Sequence, residues 1–213
     1  MILPDLSVFD PVTLVVFAAL GALSLLAITV AFFKSFQFAR LGVGQSRDAE
    51  KIVESWLNGR PDAALQSAAD QDTVLARVLQ AVMTGLQARP DDRTYAEELG
   101  RQTALMELQL MSTRMRLLEA VVQAAPMLGL LGTVIGMIDA FGTLSASEGA
   151  VDPALLAGGI WTALTTTAIG LAIALVTYFV ANWLEERIDR ERQLMETMIS
   201  AAIHGRVARA AAA

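Results

Sequence analysis

The residues best able to do chemistry in this chain are hydroxylic and small, and they crowd into two apolar stretches. Thr162, Thr165, Thr166 and Thr167 fall within six residues and are followed by Gly170. A threonine in a helix ordinarily bonds back to the carbonyl four residues earlier, which satisfies it locally. Four so close together place hydroxyls on more than one face, and hydroxyls at mid-bilayer depth can line a hydrated path without a fixed charge. Thr167 shares a face with Ala163, Gly170 and Ala174, a small-residue stripe suited to a tight contact or a narrow lumen. The other stretch carries Gly129, Gly132, Thr133 and Gly136. Its glycines are spaced i, i+3 and i+7, on one helix face, and let a second helix approach closely. Pro126 removes one backbone hydrogen bond and is expected to bend that helix.

Asp139 is the only carboxylate near the interior of an apolar stretch. It lies near one end, so an interfacial, hydrated position is expected in preference to a buried proton site. A chain that moved protons alone would need a deep titratable group, and the sequence offers none. Either it moves no ions, or a partner supplies the acid. His204 is the single histidine and cysteine is absent, so no metal site or cofactor is expected. Phosphate-binding glycine loops, nucleophile elbows and paired catalytic carboxylates are missing, and no enzyme activity is expected.

The elements that must hold these residues are membrane spans. Hydrophobic residues make up 54% of the chain, and mean hydropathy is +0.50. A bilayer core about 30 Å thick needs roughly 20 apolar residues. Residues 11–33, 120–144 and 154–183 meet that need. The first of these has no basic residue before it and is too long for a secretory signal, so it reads as an uncleaved anchor. Residues 1–33 and 117–186 contain no Lys or Arg, whereas residues 34–116 hold eleven of the 16. The positive-inside rule therefore places residues 34–119 and 184–213 in the cytoplasm, and residues 1–10 and 145–153 outside. The net charge of −6 argues against nucleic acid as a partner and leaves lipid as the solvent of the spans.

Between the spans the pattern is helical, giving an all-α membrane protein. Val74, Leu75, Val78, Leu79, Val82, Met83 and Leu86 form one apolar stripe. Arg89-Pro90-Asp91-Asp92 ends that helix, and Asp92 or Thr94 can cap the next. From Thr94 the pattern predicts one continuous helix, a cytoplasmic stalk running into the second span. The third span is expected to start on Asp152-Pro153 and to continue into the cytoplasm through Glu185–Met198.

Residues 125–137, Ala-Pro-Met-Leu-Gly-Leu-Leu-Gly-Thr-Val-Ile-Gly-Met, resemble the second-span motif of the ExbB/TolQ/MotA proton-channel family. Residues 158–171, Gly-Gly-Ile-Trp-Thr-Ala-Leu-Thr-Thr-Thr-Ala-Ile-Gly-Leu, resemble its third-span motif. Three spans are similar to the ExbB/TolQ branch, since MotA-type stators have four. The resemblance implies a motor subunit of the bacterial inner membrane, assembled as a homopentamer around the helices of a dimeric, single-span ExbD-like or TolR-like partner. That partner would bring the membrane aspartate, and a TonB-like or TolA-like protein would carry the work to the outer membrane. The resemblance also implies that Thr133 and Thr167 line the pore, with Thr162 and Thr166 beside them. Many ExbB-branch members carry a glutamate at the position of Thr162, so here this chain adds no carboxylate of its own. The alternative is a structural membrane scaffold without ion conduction.

Overall fold

The computed structural model describes residues 11–146 and 153–205, and in them the chain forms seven helices and no strand. They are α1 (Pro11–Arg40), α2 (Ser46–Leu57), α3 (Pro61–Ala69), α4 (Val74–Ala88), α5 (Arg93–Ser112), α6 (Met115–Ala146) and α7 (Pro153–His204). Three helical stretches are long and apolar enough to cross a membrane, Val12–Arg40, Arg93–Ser145 and Leu156–His204. The protein is therefore an all-α, multi-pass membrane protein. The expected outer head, the outer loop from residue 147 through the Asp152 cap, and the end of the basic tail lie outside the described residues.

The helices divide into two compact units. One comprises residues up to Phe32 together with Arg114–Asn182, and the other Phe33–Thr113 together with the chain from Trp183 on. The first unit has a thin core. Val16 and Leu20 of α1 pack with Ala125 of α6 and Ala174 of α7. Large apolar side chains point outward, among them Phe32, Met127, Ile138, Trp161 and Phe179, each more than three-fifths exposed. In water such a surface would drive aggregation; in lipid it is the solvated face.

The second unit is packed as a soluble bundle is. Val74, Leu75, Val78, Leu79, Val82 and Met83 bury one face of α4 completely, and Leu86 is half-buried. Thr73 caps α4 by accepting from the Ala76 N–H at 3.3 Å, and Asp92 caps α5 by accepting from Tyr95 at 3.0 Å. Arg77 on α4 grips Glu107 on α5 with both ends of its guanidinium, at 2.7 and 2.9 Å. Glu107 is 8% exposed, and the paired bonds supply what its burial removes.

The continuous stalk helix expected from Thr94 into the second span is not observed. α5 ends at Ser112 and α6 starts at Met115, because Arg114 takes a left-handed φ of +71°. The break leaves the Met111 carbonyl without the N–H of residue 115 that a helix would give it. Lys34 of α1, fully buried, fills that place by donating its Nζ proton at 2.6 Å. Sequence periodicity continues across the turn, so the pattern alone could not reveal it.

A left-handed backbone costs an L residue about 1–2 kcal/mol, and a β-branched one most. Arg114→Val is therefore expected to be less stable than Arg114→Gly by about 1–2 kcal/mol in chemical unfolding of the full chain in detergent. A continuous helix would give the opposite order, since glycine is the poorer of the two in a helix interior.

Candidate functional site

The residues singled out by type meet where α6 and α7 run against each other in opposite directions. The contact steps along both helices, Gly170 against Ala125 and Gly129, then Gly129 against Thr166 and Thr167, Gly132 against Thr166, Gly136 against Ala163, and Gly159 against Ala140. At each step a glycine leaves no room for a side chain. A Cβ on Gly170 would lie 2.5 Å from the Ala125 carbonyl oxygen, and one on Gly129 would lie 2.9 Å from the Thr167 Cα. On Gly132 it would meet the Thr166 hydroxyl at 2.5 Å and Val16 of α1 at 3.0 Å. With no hydrophobic force between helices in lipid, such close backbone approach supplies the dispersion contact that holds them.

Two threonine hydroxyls cross this seam. Thr167 Oγ1 donates to the Gly129 carbonyl at 2.8 Å. Thr166 Oγ1 donates to the Ala163 carbonyl at 2.6 Å and reaches the same Gly129 oxygen at 3.2 Å. In a helix that oxygen also receives the N–H of Thr133. Of the threonine side chains, Thr166 and Thr167 share this acceptor. Interhelical bonds of this kind contribute about 0.6 kcal/mol on average in membrane proteins, so their value here is chiefly in register.

The remaining residues separate. Thr133 is half-buried and turns its hydroxyl to the Leu130 carbonyl at 2.6 Å. Thr162 and Thr165, also half-buried, bond back to Gly158 and Trp161 at 3.1 and 2.8 Å. Thr166 has no exposed surface, so the expectation that it faces a lumen meets a hydroxyl enclosed between two helices. Asp139 is exposed and lies three turns beyond the Gly129–Thr167 crossing. Among the described residues no cluster of three metal-ligating side chains occurs.

Sequence reasoning missed Gly159 and Ala140, which extend the seam by one step. It also missed that Thr166 and Thr167 share an acceptor. The spacing of Gly159, Ala163, Thr166 and Gly170 carries the signal for the former; nothing in the sequence announces the latter.

A three-span α-helical chain whose second and third spans meet along a glycine–threonine seam is a polytopic membrane protein packed through small residues. Residues 70–197 match the model of the MotA/TolQ/ExbB proton channel family, and the chain belongs to that family. It is 28% identical to a Synechocystis protein described as biopolymer transport ExbB-like 3, over 75% of each chain. It is 30% identical to the biopolymer transport protein ExbB of Aquifex aeolicus, over 57% of this chain and 80% of that one. It is 40% identical to the biopolymer transport protein exbB1 of Vibrio cholerae, over 38% of this chain and 36% of that one.

If the seam depends on absent side chains, Gly170→Ala should lower stability by about 1–3 kcal/mol, because the new methyl meets backbone that cannot turn away. Gly142→Ala, with nothing within 4 Å of the added carbon, serves as the control. It should leave the unfolding midpoint in detergent unchanged or slightly raised.

Proposed function

We propose that the chain is the scaffold subunit of a proton-driven motor of the bacterial inner membrane. In this reading several copies surround the membrane helices of an ExbD-like or TolR-like partner dimer. Proton-motive force is thereby coupled to work at the outer membrane, either TonB-dependent uptake or Tol-Pal-type envelope maintenance. The observation that carries it is the Thr167 hydroxyl donating to the Gly129 carbonyl across the α6–α7 seam, in a chain of the proton channel family. Thr133, Thr162 and Thr167 are each partly exposed as residues, and a threonine hydroxyl can rotate to offer a proton or a lone pair to water. Thr166 would serve the path from behind, fixing the distance between α6 and α7. Asp139 would stand at the outer mouth. The positive-inside distribution supports an outward amino terminus, spans at 11–33, 120–144 and 154–183, and an inward second unit.

The observation that favours a structural scaffold without conduction is that every one of these threonines already donates to a backbone carbonyl. A path requires those bonds to exchange with water.

Proton uptake into liposomes that contain this chain and its partner separates the two readings. Uptake should follow an imposed pH gradient, and the double variant Thr133→Val, Thr167→Val should lower it at least tenfold while the oligomer survives. Absence of uptake in the wild type, or full uptake in the double variant, would overturn the proton-path role.

A further inference from the structure

The second unit buries one carboxylate that neither the seam nor the ion pair of α4 and α5 uses. Glu191 lies on the stripe of α7 formed by Leu184, Ile188, Met195, Met198 and Ala202, and it is 1% exposed. Its Oε2 accepts from the Gly44 N–H at 2.8 Å, while its Oε1 has no hydrogen-bond partner. Gly44 sits in the turn between α1 and α2, with φ of +86°, a value that glycine adopts freely and other residues rarely do. That turn is a junction. The Leu41 carbonyl in it accepts from Val74 at the start of α4, and Gly42 packs on Thr73, where an added Cβ would lie 2.7 Å from Cγ2. One carboxyl thus joins α7 to the end of α1, and through the turn to α4.

We propose that Glu191 is a pH-operated latch on this turn. Protonated, its carboxyl stays buried and holds Gly44; ionised, it withdraws toward water and frees the turn.

A carboxylate with a single N–H donor and one bare oxygen is poorly compensated for loss of water, so the buried site favours the neutral acid. Burial pushes the Glu191 carboxyl above the usual range, and the Gly44 N–H opposes it by less. The charged groups of the surrounding elements are directed elsewhere. Lys34 of α1 donates to Gln37 and Met111, Arg77 of α4 to Glu107 of α5, Arg190 of α7 to Glu186, and Arg187 stacks on Trp183. Arg40, Arg47, Asp189 and Arg192 are exposed.

Because the closed latch holds a proton that the open one releases, closure is favoured at low pH and weakens as pH rises above the ordinary glutamate value. The opening equilibrium then grows about tenfold per pH unit until the folded pKa is passed. The latch is a property beyond proton conduction. In the orientation proposed above it would report the pH of the cytoplasm.

Hydrogen exchange at the Gly44 amide of the full chain in lipid nanodiscs tests this directly. Gly44 is exposed as a residue, so protection of its N–H reports the bond to Glu191. After correction for intrinsic base catalysis, wild-type protection should fall as pH rises from 5 to 8. In Glu191→Gln, whose amide oxygen can still accept from Gly44, protection should persist and lose its pH dependence. A wild-type protection factor that is flat or rises with pH overturns the latch, whether or not the variant folds. A Glu191→Gln profile that tracks the wild type does so as well. Neither result bears on proton uptake.

Discussion

The first unit depends on one carbonyl. Gly129 offers its oxygen across the α6–α7 contact to Thr167 and Thr166, and it can do so only because it has no side chain of its own. In water, a misplaced hydroxyl or carbonyl can bind solvent. In the hydrocarbon core it cannot, so the acceptor fixes the register of both helices. The neighbouring steps at Gly132, Gly136, Gly159 and Gly170 follow from that register, and α1 joins through Val16 against Gly132. Dispersion supplies the contact energy along the seam, and the shared oxygen selects which contacts form.

The second unit solves a different problem with buried ionisable side chains. Lys34 closes the C-terminus of α5, Arg77 neutralises Glu107, and Glu191 takes the Gly44 amide. Two of these three are supplied by α1 and α7, the long helices that also contribute to the membrane unit in sequence. Lys34 and Glu191 act where a regular element stops or turns, at the Met111–Arg114 break and the Leu41–Gly44 turn. Lys34 and Glu191 each bond a backbone group at the end or turn of a helix, whereas Arg77 and Glu107 satisfy each other.

Much of this was legible in the sequence. The three apolar runs, the α4 stripe, its end before Pro90 and the Asp92 cap are local signals, and each appears where local physics puts it. The glycine spacing predicted a close helix contact without naming the partner helix. What the sequence hid is non-local. Arg114 bears no mark of a left-handed turn, because the stabilising Lys34 lies 77 residues from Met111. Thr166 and Thr167 look alike in sequence, yet one is enclosed and the other half-exposed. Lys34 and Glu191 did carry a readable clue, since each falls on an otherwise apolar stripe, Val30 and Phe38 flanking the first, Ile188 and Met195 the second.

The proposed path and the seam share their atoms, so the state of the Gly129 carbonyl in a bilayer is decisive. Solid-state NMR on chain carrying carbonyl-labelled glycine and nitrogen-labelled leucine isolates the Gly129–Leu130 peptide bond among a few glycine–leucine pairs. Thr167→Val should move the Gly129 carbonyl shift in the direction of a lost hydrogen bond, while Thr167→Ser should leave it in place. An unchanged shift in Thr167→Val would contradict the shared acceptor, because the hydroxyl would then not meet this oxygen in the membrane.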